Sequence, residues 1–273
     1  MIVECLQRPL LLMQMRTLTD PVNTQLLTRL ANRFDTTLVE PQAGQIYHLA
    51  GPEVAGRSMR VIAEQWVARA LSRGSAVHWI DGACRIDPSR FIPVLQQLNA
   101  SLETCLSSLF LSRGFTLHQL ARQIERLPSE VAITRAPLIV IDGVLCMHHD
   151  KEISRMESRS LFRRHIALLA KMVQHQHVAL ILITEQNPRD DHHGRLLSSI
   201  KHHSQNYLEG SWKGRRNNRM LYLQHPKSGL GGLWNPSKSP LQTQFQIQNP
   251  KSINSNSWHH HRLEVVGLKQ IQD

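Results

Sequence analysis

The chain has 273 residues, 41% hydrophobic and 19% charged, enough to bury a sizeable core and too apolar for a disordered polyelectrolyte. Its 32 Lys and Arg against 21 Asp and Glu leave a net charge of +11, which points to a polyanionic partner, nucleic acid ahead of anionic membrane. No apolar run approaches the ~20 residues of a membrane span, Pro9–Met13 is too short for a signal peptide, and Cys5, Cys84, Cys105 and Cys146 are too scattered for a zinc site or a disulfide framework, so reduced thiols in a cytoplasmic protein are expected.

In chain order, Thr19–Phe34 carries Val22, Leu26, Leu27, Leu30 and Phe34 at helical spacing, so residues 1–40 read as a helical N-terminal cap. Residues 41–225 then alternate apolar runs with helical patterns, the signature of βαβ units and a mostly parallel sheet. Strands are predicted at Gln45–Ala50, Ala76–Asp81, Leu106–Leu111, Pro137–Asp142 and Ala179–Thr184. Helices are predicted at Ser58–Arg73, Phe91–Asn99, Thr116–Arg126 with Thr116 as N-cap, and Glu157–His175. The continuous apolar strands belong to a sheet covered on both faces. Residues 187–225 read as polar and basic, with one strand-like run at Met220–Leu223. Residues 226–273 are a basic, low-complexity C-terminal tail; from Gly210 to Leu263 there is no acidic residue and there are eight Lys or Arg.

The strongest chemical signal is Gly51-Pro52-Glu53-Val54-Ala55-Gly56-Arg57-Ser58, followed by Met59. It follows a predicted strand and opens a helix, the setting of a phosphate-binding loop. It matches GxxxxGK[ST] except that Arg57 stands in place of Lys. Glycines permit a tight loop whose amides face inward, and the helix adds its positive end, so phosphate oxygens can be cradled. Ser58 would ligate Mg²⁺. Arg57 keeps the charge but is longer and planar, so nucleotide binding is expected to survive with weakened hydrolysis. A second signal is Leu138-Ile-Val-Ile-Asp142, about 85 residues after the loop, whose carboxylate would sit near the Mg²⁺ and its waters.

Several segments, taken in order, resemble the RecA/RadA-type recombinase ATPases. Gly51-Pro52-Glu53 is similar to that family's GPE opening. Val77-His-Trp-Ile-Asp81, with Pro88 and Arg90, resembles its second core strand and the segment after it. Leu109–Gln119 resembles the stretch before its next helix, Asp142-Gly-Val leads into a polar loop, and Leu161–Val173 lies in the long helix that follows. Ala179–Gln186 resembles the strand whose Gln contacts the γ-phosphate, which makes Gln186 a catalytic candidate. The resemblance spans roughly residues 40–190. It implies a RecA-like P-loop NTPase core, ATP and Mg²⁺ as cofactors, and two DNA-binding loops. Where the family carries its catalytic Glu this chain has Ala83, which implies slow hydrolysis, at most a weak DNA-dependent ATPase.

The two loops are Met147–Met156 and Asn187–Arg195 running on to His203. Arg155, Arg159, Arg189, Arg195 and Lys201, with Arg215 and Arg216 beside Trp212 downstream, are the candidates for neutralising phosphates. Single- or double-stranded DNA is the expected partner, with a recombinase filament or another repair protein beside it; no membrane partner is expected, and a homo-oligomer stays open. Of the sixteen His residues, nine fall in three adjacent pairs and a triplet, which do not converge on one metal ion as i, i+4 pairs do. Mild acid is expected to charge these loops and raise DNA affinity below about pH 6.5. The reading is therefore a RecA-like ATP-binding protein of DNA recombination or repair. The alternatives are a nucleotide-binding regulatory or scaffold protein of the same fold that acts through protein partners, and a different P-loop enzyme such as a small-molecule kinase.

Overall fold

In the computed structural model, residues 41–215 and 219–226 are described throughout, with the backbone of 230–234 and 246–248. The predicted cap at 1–40, with its helix at 19–34, lies outside the described residues, as does Arg216.

β1 (Ile46–Gly51) leads through a 3₁₀ turn (Val54–Met59) into α1 (Arg60–Ser72). β2 (Val77–Asp81), α2 (Ile92–Gln97), α3 (Leu102–Ser107), β3 (Leu109–Arg113), α4 (Leu117–Thr134) and β4 (Leu138–Asp142) follow. Then come α5 (Arg155–Gln176), β5 (Ala179–Glu185), α6 (Asp191–His203), β6 (Asn206–Lys213), β7 (Met220–His225), β8 (Leu230–Trp234) and β9 (Gln246–Gln248). One sheet takes them in the order β3-β2-β4-β5-β1-β6-β7-β8-β9. From β3 to β6 the pairing is parallel, and from β6 to β9 it is antiparallel.

The central strands β4 and β5 are apolar over most of their length and buried, because helices cover both faces. In β4, Leu138 and Val140 pack under α1 with Trp66, Leu71 and Trp79, while Ile139 and Ile141 pack on the other side with Leu120, Phe162 and Leu169. Among the described residues no helix is long and apolar enough to cross a membrane, and Cys84, Cys105 and Cys146 are free thiols.

Several expected boundaries move. Residues 102–107, the last two of which were expected to open a strand, form α3, and the strand itself starts at Leu109. Thr116 caps α4, its side chain accepting from the Gln119 amide at 3.2 Å. The helix runs on past Arg126 through Pro128 to Thr134. A proline inside a helix costs roughly 3 kcal/mol, but Leu127 and Val131 are buried on either side of it, and their burial holds the helix in line. The polar stretch after residue 187, expected to be a loop with a single strand, contains α6 and β6. Strands β8 and β9 lie within the segment read as a tail and extend the sheet.

Candidate functional site

The C-terminal ends of parallel strands are where such folds leave a crevice, and the chemistry-bearing residues gather there. β1 ends at Gly51, and the loop beyond it folds directly over β5. A Cβ on Gly56 would lie 1.9 Å from the Thr184 carbonyl, and Gly56 has φ +66, so only glycine fits. Glu53 (φ 71) and Ala55 (φ 54) also take left-handed φ, uncommon for residues with a Cβ. The Gly56 amide bonds to the Glu53 carbonyl at 3.1 Å, and Ser58 Oγ donates to the Pro52 carbonyl at 3.0 Å. Arg57 is exposed beside the head of α1.

Asp142 ends β4, fully buried, one strand from Asp81 at the end of β2. Its partner is Arg85, which sequence reading passed over. Arg85 Nε donates to Asp142 Oδ2 at 3.1 Å, and Nη2 donates to Oδ1. Nη1 donates to the Val54 carbonyl at 2.8 Å and Nη2 to the Ala55 carbonyl at 2.9 Å, so one guanidinium joins the loop to the strand-end carboxylate. Burial pushes the Asp142 carboxyl above its ordinary range while Arg85 pulls it back. Burial works against the Arg85 charge, but Asp142 outweighs it and the guanidinium is held more firmly protonated.

Three carboxylates on this edge are held by arginine. Asp81 Oδ2 accepts from the Ile86 amide at 2.8 Å and from Arg113 Nε at 2.9 Å. Glu64, buried on α1, accepts from Arg60 at 2.9 Å and from both Nε and Nη2 of Arg90. Gln186, just past β5, donates to Glu209 on β6, and its amide bonds the Gly51 carbonyl at 2.9 Å. The structure thus brings the loop, Asp142 and Gln186 to one edge. It does not leave Asp142 open: both carboxylate oxygens are on Arg85 and Ser58 Oγ turns to Pro52, so these two residues do not fit the divalent ion expected of them.

The candidate phosphate-contacting cations are dispersed, and several are engaged. Arg155 opens α5 and reaches Asp190 at 3.4 Å. Arg189 Nε lies 2.6 Å from Glu185. Arg195 and Lys201 sit on α6, not in a loop; Lys201 Nζ stands 4.3 Å over the Tyr207 ring. Arg159 lies on α5, partly buried, and Arg215 is exposed beyond β6. Arg219 stands 5.8 Å over the Trp212 ring. Arg189, Asp190, Asp191 and Arg195 line an open depression of about 650 Å³ at the start of α6.

Histidines from different pairs pack together, His149 against His193 with ring centroids 4.4 Å apart. His148 Nδ1 is 2.9 Å from Ser158 Oγ, which also lies 3.0 Å from His192 Nε2. Burial drops His148 to a pKa of about 3 and His193 to about 4, and lowers His149 and His192. His148 and His193 therefore stay neutral in mild acid, because the interior disfavours the imidazolium. Residues from different pairs do converge: ligand atoms of His149, Glu185 and His193 lie within 4.8 Å of one another. Yet Arg189 holds Glu185, and the Arg189 amide donates to His193 Nδ1 at 3.1 Å. That bond leaves the proton of neutral His193 on Nε2, toward Glu185 at 3.3 Å, so the cluster is a polar network without a free lone pair for a metal on that nitrogen.

No protein-family model and no curated protein sequence matches the chain. Among solved structures, the crystal structure of the RadB recombinase is similar over 76% of this chain and 92% of its own, with a TM-score of 0.56 and 15% identity. At that identity the likeness establishes the fold: a RecA-like α/β core with helices on both faces of a mostly parallel sheet.

Proposed function

We propose that this chain is a RecA-fold nucleotide-binding protein that acts on DNA in recombination or repair, with weak ATP hydrolysis. The observation that supports it most is the convergence, at one sheet edge, of the Gly51–Ser58 loop, the head of α1, Asp142 and Gln186. The loop amides and the positive end of α1 favour a triphosphate, and Arg57 adds a full charge beside it. Gln186 lies at the same edge, tied to Gly51, where it would report the terminal phosphate to β6 through Glu209. Ala83 offers no carboxylate to orient water, and such a lost group commonly costs ~10²-fold in rate. Arg155, Arg189, Arg195, Lys201 and Arg215 are the proposed DNA contacts.

The test is ATP binding and turnover with and without single-stranded DNA, beside a salt titration of DNA affinity. The reading expects ATP binding, turnover about 10²-fold or more below an ordinary ~10 s⁻¹, and DNA affinity that falls steeply with salt. The scaffold reading has one observation in its favour: Arg155 and Arg189 are already on Asp190 and Glu185. ATP binding with no DNA binding at low salt would decide for it.

A further inference from the structure

Arg85 stands where the sequence places a metal. Its side chain is 16% exposed, and the guanidinium makes four bonds at once, two to Asp142 and one each to the carbonyls of Val54 and Ala55. Its own carbonyl accepts from Arg60 Nη1 at 2.6 Å, which fixes the backbone that carries it. A carboxylate with both oxygens on a planar fork is in the strongest geometry this pairing offers. A divalent ion at Asp142 would have to displace that fork and then lie beside a second positive charge in a poorly hydrated site.

We propose that Arg85 is the resident cation of this nucleotide site, standing in for the divalent ion, so that nucleotide phosphates bind here without magnesium. The inference rests on the nucleotide-site reading above and concerns this chain's own residues. Arg85 joins the loop to the strand-end carboxylate, the bridging that an ion and its waters would supply. Its bond to the Ala55 carbonyl also steadies a residue at φ 54, a conformation that costs a Cβ-bearing residue free energy. The charge balance points the same way. Asp81, Asp142 and Glu64 face Arg60, Arg85, Arg90 and Arg113, three carboxylates against four guanidiniums. An added metal ion takes this edge further from neutrality.

The experiment titrates a fluorescent ATP analogue into the full chain, in saturating magnesium and in EDTA, for the native protein, Arg85→Ala and Arg85→Lys. Thermal unfolding is followed alongside with magnesium alone. The native affinities are expected to agree within about twofold in the two buffers, with no shift of the unfolding midpoint by magnesium. Arg85→Ala frees Asp142, so its affinity becomes magnesium-dependent by about tenfold or more and magnesium alone stabilises it. Arg85→Lys keeps the charge but cannot bridge, so it stays magnesium-independent with weaker binding. A native affinity that falls about tenfold in EDTA overturns the inference and leaves nucleotide binding standing. An Arg85→Ala chain that binds equally in both buffers also overturns it. Absence of binding in either buffer defeats the nucleotide-site reading and this inference together. Should Arg85→Ala not fold, the native comparison and Arg85→Lys decide.

Discussion

The edge around Asp142 and the histidine cluster beside α5 and α6 both bury ionisable side chains, and they solve the same problem in opposite ways. At the edge, Asp142, Asp81 and Glu64 are each paired with guanidiniums. Between the helices, His148 and His192 share Ser158, and His193 lies with His149 against Glu185; burial holds these imidazoles neutral. A guanidinium stays charged at any ordinary pH, so the first region is sensitive to the loss of a partner. A neutral imidazole is sensitive to protons instead. The difference teaches where charge is wanted: guanidiniums are gathered at the edge that would meet phosphate, and charge is removed from the helix-packing layer.

The comparison can be broken most sharply at Glu64. Replacing it with Ala leaves Arg60, 6% exposed, as an uncompensated buried charge. The expected cost is about 3–5 kcal/mol in urea unfolding. A loss under about 1 kcal/mol would mean that the edge does not depend on its pairs.

The second effect comes from pH. Burial takes His48 and His148 from 6.5 to about 3. The folded state then binds fewer protons than the unfolded one, so stability is complete above pH 6.5 and falls as pH drops through that value toward 3. Each of these two histidines is expected to remove about 2 kcal/mol by pH 5, read from urea midpoints at pH 7.5 and 5. Stability flat across that interval would remove the neutral-imidazole account.

Third, Gly56→Ala forces a Cβ against the Thr184 carbonyl. It should destabilise the fold by about 1–3 kcal/mol and lower nucleotide affinity more than does an alanine at exposed Arg57. Equal effects would show that the loop is not held by β5. The smallest effect belongs to Arg155, whose pair with Asp190 is exposed. Arg155→Ala should change stability by less than about 0.5 kcal/mol while reducing the salt slope of DNA binding by about one; an unchanged slope would take Arg155 out of the proposed DNA surface.

Much of the core was legible from apolar runs. Val77–Asp81, Leu138–Asp142 and Ala179–Glu185 are too continuous to be half-exposed strands, and all three lie inside the sheet. The helix α6 was not, because His192, His193 and Gly194 interrupt its first turn. Its signals were present in Asp190, whose side chain accepts from the His193 amide at 2.7 Å, and in Leu196, Leu197 and Ile200, which are buried. Arg85 could not be found from local pattern. Its partner lies 57 residues away, and its other bonds go to main-chain carbonyls that carry no side-chain signature.

The sequence by itself determined which segments are apolar enough to form a covered parallel sheet and where a glycine loop meets a helix, since both follow from residues close together along the chain. Only the tertiary structure decided how charge is distributed over the site. The pairing of Arg85 with Asp142, like the neutrality of His148 and His193, depends on distance and burial between segments far apart in sequence, and those two quantities set the energy of an ionised group.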